Sequence, residues 1–132
     1  MIFRISGDVC VSATDVRKLQ LAKAAIAAGI QTLLSKAGVS SAQGLLLAGG
    51  FGSYLDPRSA ARIGLFPEDL LPNVRALGNT AGAGAVLGAC SQTARAGMEK
   101  IREECEYVEL STDRTFNDQF VMQMMFEEDM DI

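Results

Sequence analysis

The sequence predicts a single α/β domain in which parallel strands are joined through helices by right-handed crossovers. Two observations carry that prediction. The apolar run Leu45 to Ala48 breaks into Gly49-Gly50-Phe51-Gly52, and the run Asn73 to Leu77 breaks into Gly78-Asn79-Thr80-Ala81-Gly82-Ala83-Gly84-Ala85. A strand that ends in glycines has a backbone able to approach a ligand or another element closely. A third observation is the helical spacing of apolar residues between these runs, which gives the order β-β-α-β-α-β-α-β-α.

Taken in order, Ile2 to Ser6 and Val9 to Ser12 read as strands around a Gly7-Asp8 turn. Thr14-Asp15 opens a helix, with Thr14 as hydroxyl cap and an acid in the first turn. Val16, Leu19, Ile26, Ile30, Leu33 and Leu34 form its apolar stripe, and Gly38 stops it. Leu45 to Ala48 has the uninterrupted apolar character of a strand buried on both faces. Asp56-Pro57 starts a short helix that Gly64 and Pro67 end. A helix from Thr80 to about Ser91 is rich in Ala and Gly, which suits close packing on a sheet. Gln92 to Glu104 is a more polar helix, Tyr107 to Leu110 alternates like a strand, and Phe116, Phe120 and Met124 mark a closing helix. The acidic run Glu127-Glu128-Asp129 is expected to fray into solvent.

Composition narrows the function classes. The 132 residues carry a net charge of −4, and their basic residues are scattered, which argues against a nucleic-acid surface. No apolar run approaches the roughly 20 residues that span a bilayer, and the N-terminus lacks a signal peptide's apolar core, so a cytoplasmic location is expected. The chain has no histidine, which removes the commonest general base and metal ligand, so hydrolytic triads and most zinc sites are excluded. The three cysteines, Cys10, Cys90 and Cys105, are too few for a conventional iron–sulfur cluster and are expected to be buried free thiols. No catalytic residue and no metal ligand is assigned.

The candidate binding residues lie at the strand ends and on the first helix. Gly49, Gly50 and Phe51 have neither the lysine of a P-loop nor the spacing of a dinucleotide fingerprint. Their backbone could face an anion or lie flat against a base; equally, the turn could serve only a positive φ or tight packing. Gly78-Asn79-Thr80 precedes a helix with Thr80 as its cap, either as an anion site or as an ordinary cap with Asn79 in a left-handed turn. Lys23 falls inside the apolar stripe of the first helix with Gln20 one turn earlier at its edge, so its ammonium must snorkel or meet a partner.

Longer stretches bear a resemblance. Asp15-Val16-Arg17-Lys18-Leu19-Gln20-Leu21-Ala22-Lys23-Ala24-Ala25-Ile26, then Leu47-Ala48-Gly49-Gly50-Phe51-Gly52-Ser53-Tyr54-Leu55-Asp56, resemble the C-terminal region of RACo-type reductive activators of corrinoid proteins. Ala60, Ile63-Gly64-Leu65, Pro67, the Gly78 to Ala85 run, Tyr107 to Ser111 and Phe116 to Phe126 continue the likeness over nearly the whole chain. The resemblance implies a ribonuclease H-like, actin-like ATPase subdomain with a central mixed sheet flanked by helices. It implies ATP or ADP as ligand and a corrinoid protein or corrinoid methyltransferase component as partner. By motif, Gly49, Gly50 and Phe51 would contact adenosine, Gln20 and Lys23 would flank the nucleotide, and Asn79 and Thr80 would occupy the second turn.

The superfamily's first phosphate loop and catalytic carboxylates have no counterpart here, nor do the cysteines of the [2Fe–2S] cluster that such activators carry upstream. The chain is therefore expected to be the C-terminal lobe of a longer protein, folding as one domain over 1–132 and holding the adenosine half of a cleft. Two other readings remain: a dimerisation or docking module built on the Met-rich final helix, and the lobe of an activator of 2-hydroxyacyl-CoA dehydratases, which the Gly-Phe-Gly-Ser-Tyr-Leu-Asp run fits less well.

Overall fold

A computed structural model describes residues 2–126. The acidic run expected to fray lies outside them. The N-terminal hairpin pairs β1 (Ile2–Ser6) with β2 (Val9–Ser12) in antiparallel register, turning at Gly7, whose φ is 53°. α1 (Ala13–Ala37) follows without a loop and is started by a capping box. The Asp15 amide donates to Ser12 Oγ at 3.2 Å while the Ser12 amide donates to Asp15 Oδ2 at 2.9 Å, so Ser12 and not Thr14 is the cap. Gly38 ends the helix in the left-handed conformation at φ 68°, as its position predicts.

β3 (Leu45–Ala48) leads into the short helix α2 (Gly49–Tyr54), and Asp56 caps α3 (Pro57–Arg62), its carboxylate accepting from the Ser59 amide at 2.8 Å. A 3₁₀ segment, Glu68–Asn73, delivers the chain to β4 (Val74–Gly78), which pairs in parallel with β3. α4 (Thr80–Cys90) and α5 (Gln92–Glu104) pack on each other, and α6 (Arg114–Met122) returns to lie along α1. On α6, Phe116 and Phe120 stack one turn apart with ring centroids 6.0 Å apart.

The core gathers where α1, α3 and the parallel pair meet: Ala60, Ala61, Leu65 and Phe66 are buried, with Ile30, Leu45, Leu55 and Val74 against them. The α/β class holds, and its strands form two separate two-stranded sheets, one antiparallel and one parallel.

Four expectations about packing need correction. Leu46 is 63% exposed, so β3 buries one face only, because no helix covers the other among the described residues. On α1 the buried residues are Lys23, Ala24, Ala27, Ala28, Gly29 and Thr32, while Leu19, Ile26 and Leu33 of the expected stripe face outward. α6 packs along α1, and apart from Lys23 the residues that α1 buries are small ones. Tyr107 to Leu110 forms no strand; its hydrogen bonds are local, with the Tyr107 hydroxyl donating to Glu109 at 2.6 Å. All three cysteines are exposed, because α4 and α5 bury no residue and the hairpin bearing Cys10 is open to solvent.

Candidate functional site

The parallel pairing of β3 with β4 positions the site. Ala48 is the register partner of Gly78, so the two glycine turns leave the sheet from neighbouring backbone positions at the carboxyl ends of both strands. In open α/β sheets that edge is where ligands bind. Each turn is made by a glycine in the left-handed region, Gly49 at φ 85° and Gly78 at φ 71°. Gly49, Gly50, Phe51, Asn79 and Thr80 are thereby brought to one edge.

What each glycine is for separates along this edge. A β-carbon on Gly52 would stand 3.2 Å from the Leu47 β-carbon, so Gly52 is needed for packing α2 on its own strand. A β-carbon on Gly49 or Gly50 would meet nothing within 4 Å. Gly49 still requires its positive φ; Gly50 requires neither conformation nor space, and its bare backbone faces outward. Beside it Phe51 is 73% exposed, and Gly50, Phe51, Tyr54 and Leu55 line an apolar hollow of about 430 Å³. A planar ring could lie on that backbone with an aromatic side chain against it.

The second turn is capped. Asn79 accepts from the Gly82 amide at 2.9 Å, so the cap of α4 is Asn79 where Thr80 also qualified by sequence. Thr80 is the first helical residue, and Asn79 keeps an ordinary negative φ of −80°, the left-handed role falling to Gly78.

The α1 pair enters from another direction. Lys23 is 2% exposed, and its ammonium donates to the Met125 carbonyl at 2.5 Å and lies 5.0 Å from the centroid of the Phe126 ring. It also stands 3.1 Å from where a β-carbon on Gly64 would be, which places it against the turn that follows α3. The lysine has met partners, one of the two outcomes its position in a helix face allowed. Gln20, one turn earlier, is half-buried. Beside this group a cleft of about 220 Å³ opens between α1 and the turn after α3, lined in part by Gln31, Gly64, Glu68 and Gln123.

Sequence reasoning assigned no site role to Tyr54, Met125, Phe126 or Gly64. Tyr54 was findable, since it stands three residues after Phe51 and so shares a helix face with it. The meeting of Lys23 with Phe126 has no local signal, because it depends on α6 folding back along α1, and its meeting with Gly64 depends on the turn after α3 packing on α1. Among the described residues no three metal-ligating side chains gather, and no helix is long and apolar enough to cross a membrane.

Comparison with known proteins agrees with this architecture. The corrinoid activation enzyme RamQ of Eubacterium limosum is 37% identical over 121 residues, covering 90% of this chain and 20% of that protein. The solved structure of a reductive activator for corrinoid, iron-sulfur protein superposes with a TM-score of 0.77 at 35% identity, over 88% of this chain and 19% of that one. The chain thus spans about a fifth of the length of the relatives it matches. The family described as the C-terminal domain of RACo, the ASKHA domain, matches residues 3–132, and the chain belongs to that family.

Proposed function

We propose that this domain binds ATP or ADP and supplies the adenosine side of the nucleotide cleft in an ATP-dependent reductive activator of corrinoid proteins. The observation that carries the reading is the pairing of Ala48 with Gly78, which sets two glycine turns side by side, one of them with open backbone at Gly49 and Gly50. In this reading the base lies over Gly49 and Gly50 against Phe51. Asn79 and Thr80 border the ribose and phosphates from the second turn, and Gln20 and Lys23 reach the nucleotide from α1. The partner is a corrinoid protein, by the same resemblance that the relatives' names support.

The chemistry of such an activator needs groups that these residues do not provide. A nucleotide fits the open glycine backbone, and bound there it would supply the free energy of its terminal phosphate bond to the longer protein. A [2Fe–2S] cluster does not fit, since no three ligating side chains gather among the described residues, so the cluster is assigned to another part of that protein. Residues 1–132 alone are expected to bind ATP or ADP weakly and to hydrolyse neither.

Gly50→Ala tests the reading because structure and binding should respond in opposite senses. An added methyl meets nothing and relieves a helical glycine, so thermal stability should hold or rise by up to about 1 kcal/mol. The same methyl would lift the base from the backbone and weaken ATP binding, measured by calorimetry, by about tenfold or more, the loss of roughly 1.4 kcal/mol. Equal affinity in the variant would remove Gly50 from the site, and rapid turnover by the unaltered chain would overturn the adenosine-half assignment.

A further inference from the structure

Lys23 is held as a ligand is held. Its charge is almost wholly removed from water, and Met125 and Phe126, which follow α6, provide a carbonyl acceptor and an aromatic face for it. A lysine is buried in this way only where partners compensate its lost hydration. Those two residues are more than a hundred positions away in the chain, |i−j| being 102 for the Lys23–Met125 bond, and they reach the ammonium because α6 packs along α1.

We propose that the segment after α6 is an autoinhibitory strap on the nucleotide site: Met125 and Phe126 occupy the Lys23 ammonium, and an anionic nucleotide engages it only when they let go. This inference rests on the reading of Lys23 as a nucleotide contact. A phosphate is a stronger partner for an ammonium than a carbonyl or a ring, so a nucleotide competes with these two contacts. Gly64 leaves the ammonium room where it sits, since a β-carbon there would stand 3.1 Å from it. Gln123, at the start of the strap, lines the cleft of about 220 Å³ beside Gly64, so release of the strap changes a cleft wall as well as freeing the lysine. The two events are linked reciprocally: whatever fraction of molecules is closed lowers the apparent affinity for nucleotide, and nucleotide shifts the strap toward release.

The test compares the unaltered chain with Phe126→Ala and with Phe126→Leu, the latter keeping apolar bulk while removing the ring. Lys23 acetylation by an amine-reactive reagent, read by mass spectrometry, should rise about fivefold in both variants, and ATP affinity by calorimetry about threefold or more. Adenosine, which lacks the charge that competes for the ammonium, should bind all three proteins alike. ATP binding that is present but unchanged across the three overturns the strap and leaves the nucleotide reading standing. Lys23 unmasked with ATP bound by none of the three overturns the strap and the nucleotide reading together.

Discussion

Two polar residues buried on α1 have opposite fates, and the difference is one of partners. Lys23 carries a full charge, and a carbonyl and an aromatic ring are among the partners that compensate it. Thr32, only nine positions on, is 0% exposed and its Oγ1 has no hydrogen-bond partner among the described residues. An orphaned hydroxyl costs about 1–3 kcal/mol of desolvation that nothing returns. Valine has nearly the same shape and no hydroxyl, so Thr32→Val is expected to stabilise the chain by about 1 kcal/mol, with the denaturant midpoint rising and the slope unchanged. A fall in the midpoint would mean that the hydroxyl has a partner, a bound water for instance, that valine displaces. At this scale the sequence was only half legible. Placing Lys23 on the buried side of a helix needs helical geometry alone; knowing that Phe126 covers it needs the return of α6.

At the scale of elements, local chemistry decided most starts and stops. Asp56-Pro57, Gly38, Gly7 and the strand at Leu45 fall where their own residues place them, because a cap, a proline ring or a positive φ acts within one turn of chain. Where two neighbours could do one job, the choice turned on geometry: Ser12 displaced Thr14, and Asn79 displaced Thr80. The α4 cap has an unusual requirement, since a β-carbon on Gly82 would stand 2.5 Å from Asn79 Nδ2. The cap and the glycine therefore belong together. Asn79→Ala should cost about 1 kcal/mol in thermal unfolding. Gly82→Ala, normally favourable within a helix, should gain little because the methyl displaces the capping side chain. A clear stabilisation by Gly82→Ala would show that Asn79 can move aside without losing its bond. What could not be read locally is Tyr107 to Leu110, where alternation promises a strand but strands need a neighbour, and none is supplied among the described residues. Similarly, the outward turn of Leu19, Ile26 and Leu33 depends on which face of α1 its tertiary neighbours cover, which the spacing within α1 does not tell.

Across the molecule, four carboxylates outside the core accept hydrogen bonds that make stability sensitive to acid. Asp15 at α1 is held below the usual carboxylate range by the Ser12 hydroxyl and amide, and Asp56 at α3 by the Ser59 hydroxyl and amide. Asp113 at α6 is lowered first by its hydrogen bond with Lys36, at 2.8 Å, and then by the Phe116 amide; Glu109 is lowered by the Ser111 hydroxyl and by Tyr107. Each of these groups binds its proton more weakly folded than unfolded. Their stabilisation is therefore complete above the ordinary carboxylate values, about pH 4, and is lost as pH falls through the lowered native ones. Lys36 works in the other direction: Asp113 raises its pKa, so its share is complete below the ordinary lysine value, about pH 10, and is lost as pH climbs through the raised one. The chain has no histidine to titrate between these limits. Denaturant unfolding should therefore give a flat stability between about pH 5 and 8 and a steep loss below about pH 4. Asp113→Ala isolates the contribution that ties α6 to α1. Its deficit relative to the unaltered chain should be constant across the plateau and should shrink at both ends, as the carboxylate protonates in acid and Lys36 loses its charge in base. A deficit that persists undiminished below pH 3 would mean that Asp113 acts through packing, and that the closure of α6 over α1 does not depend on the ion pair.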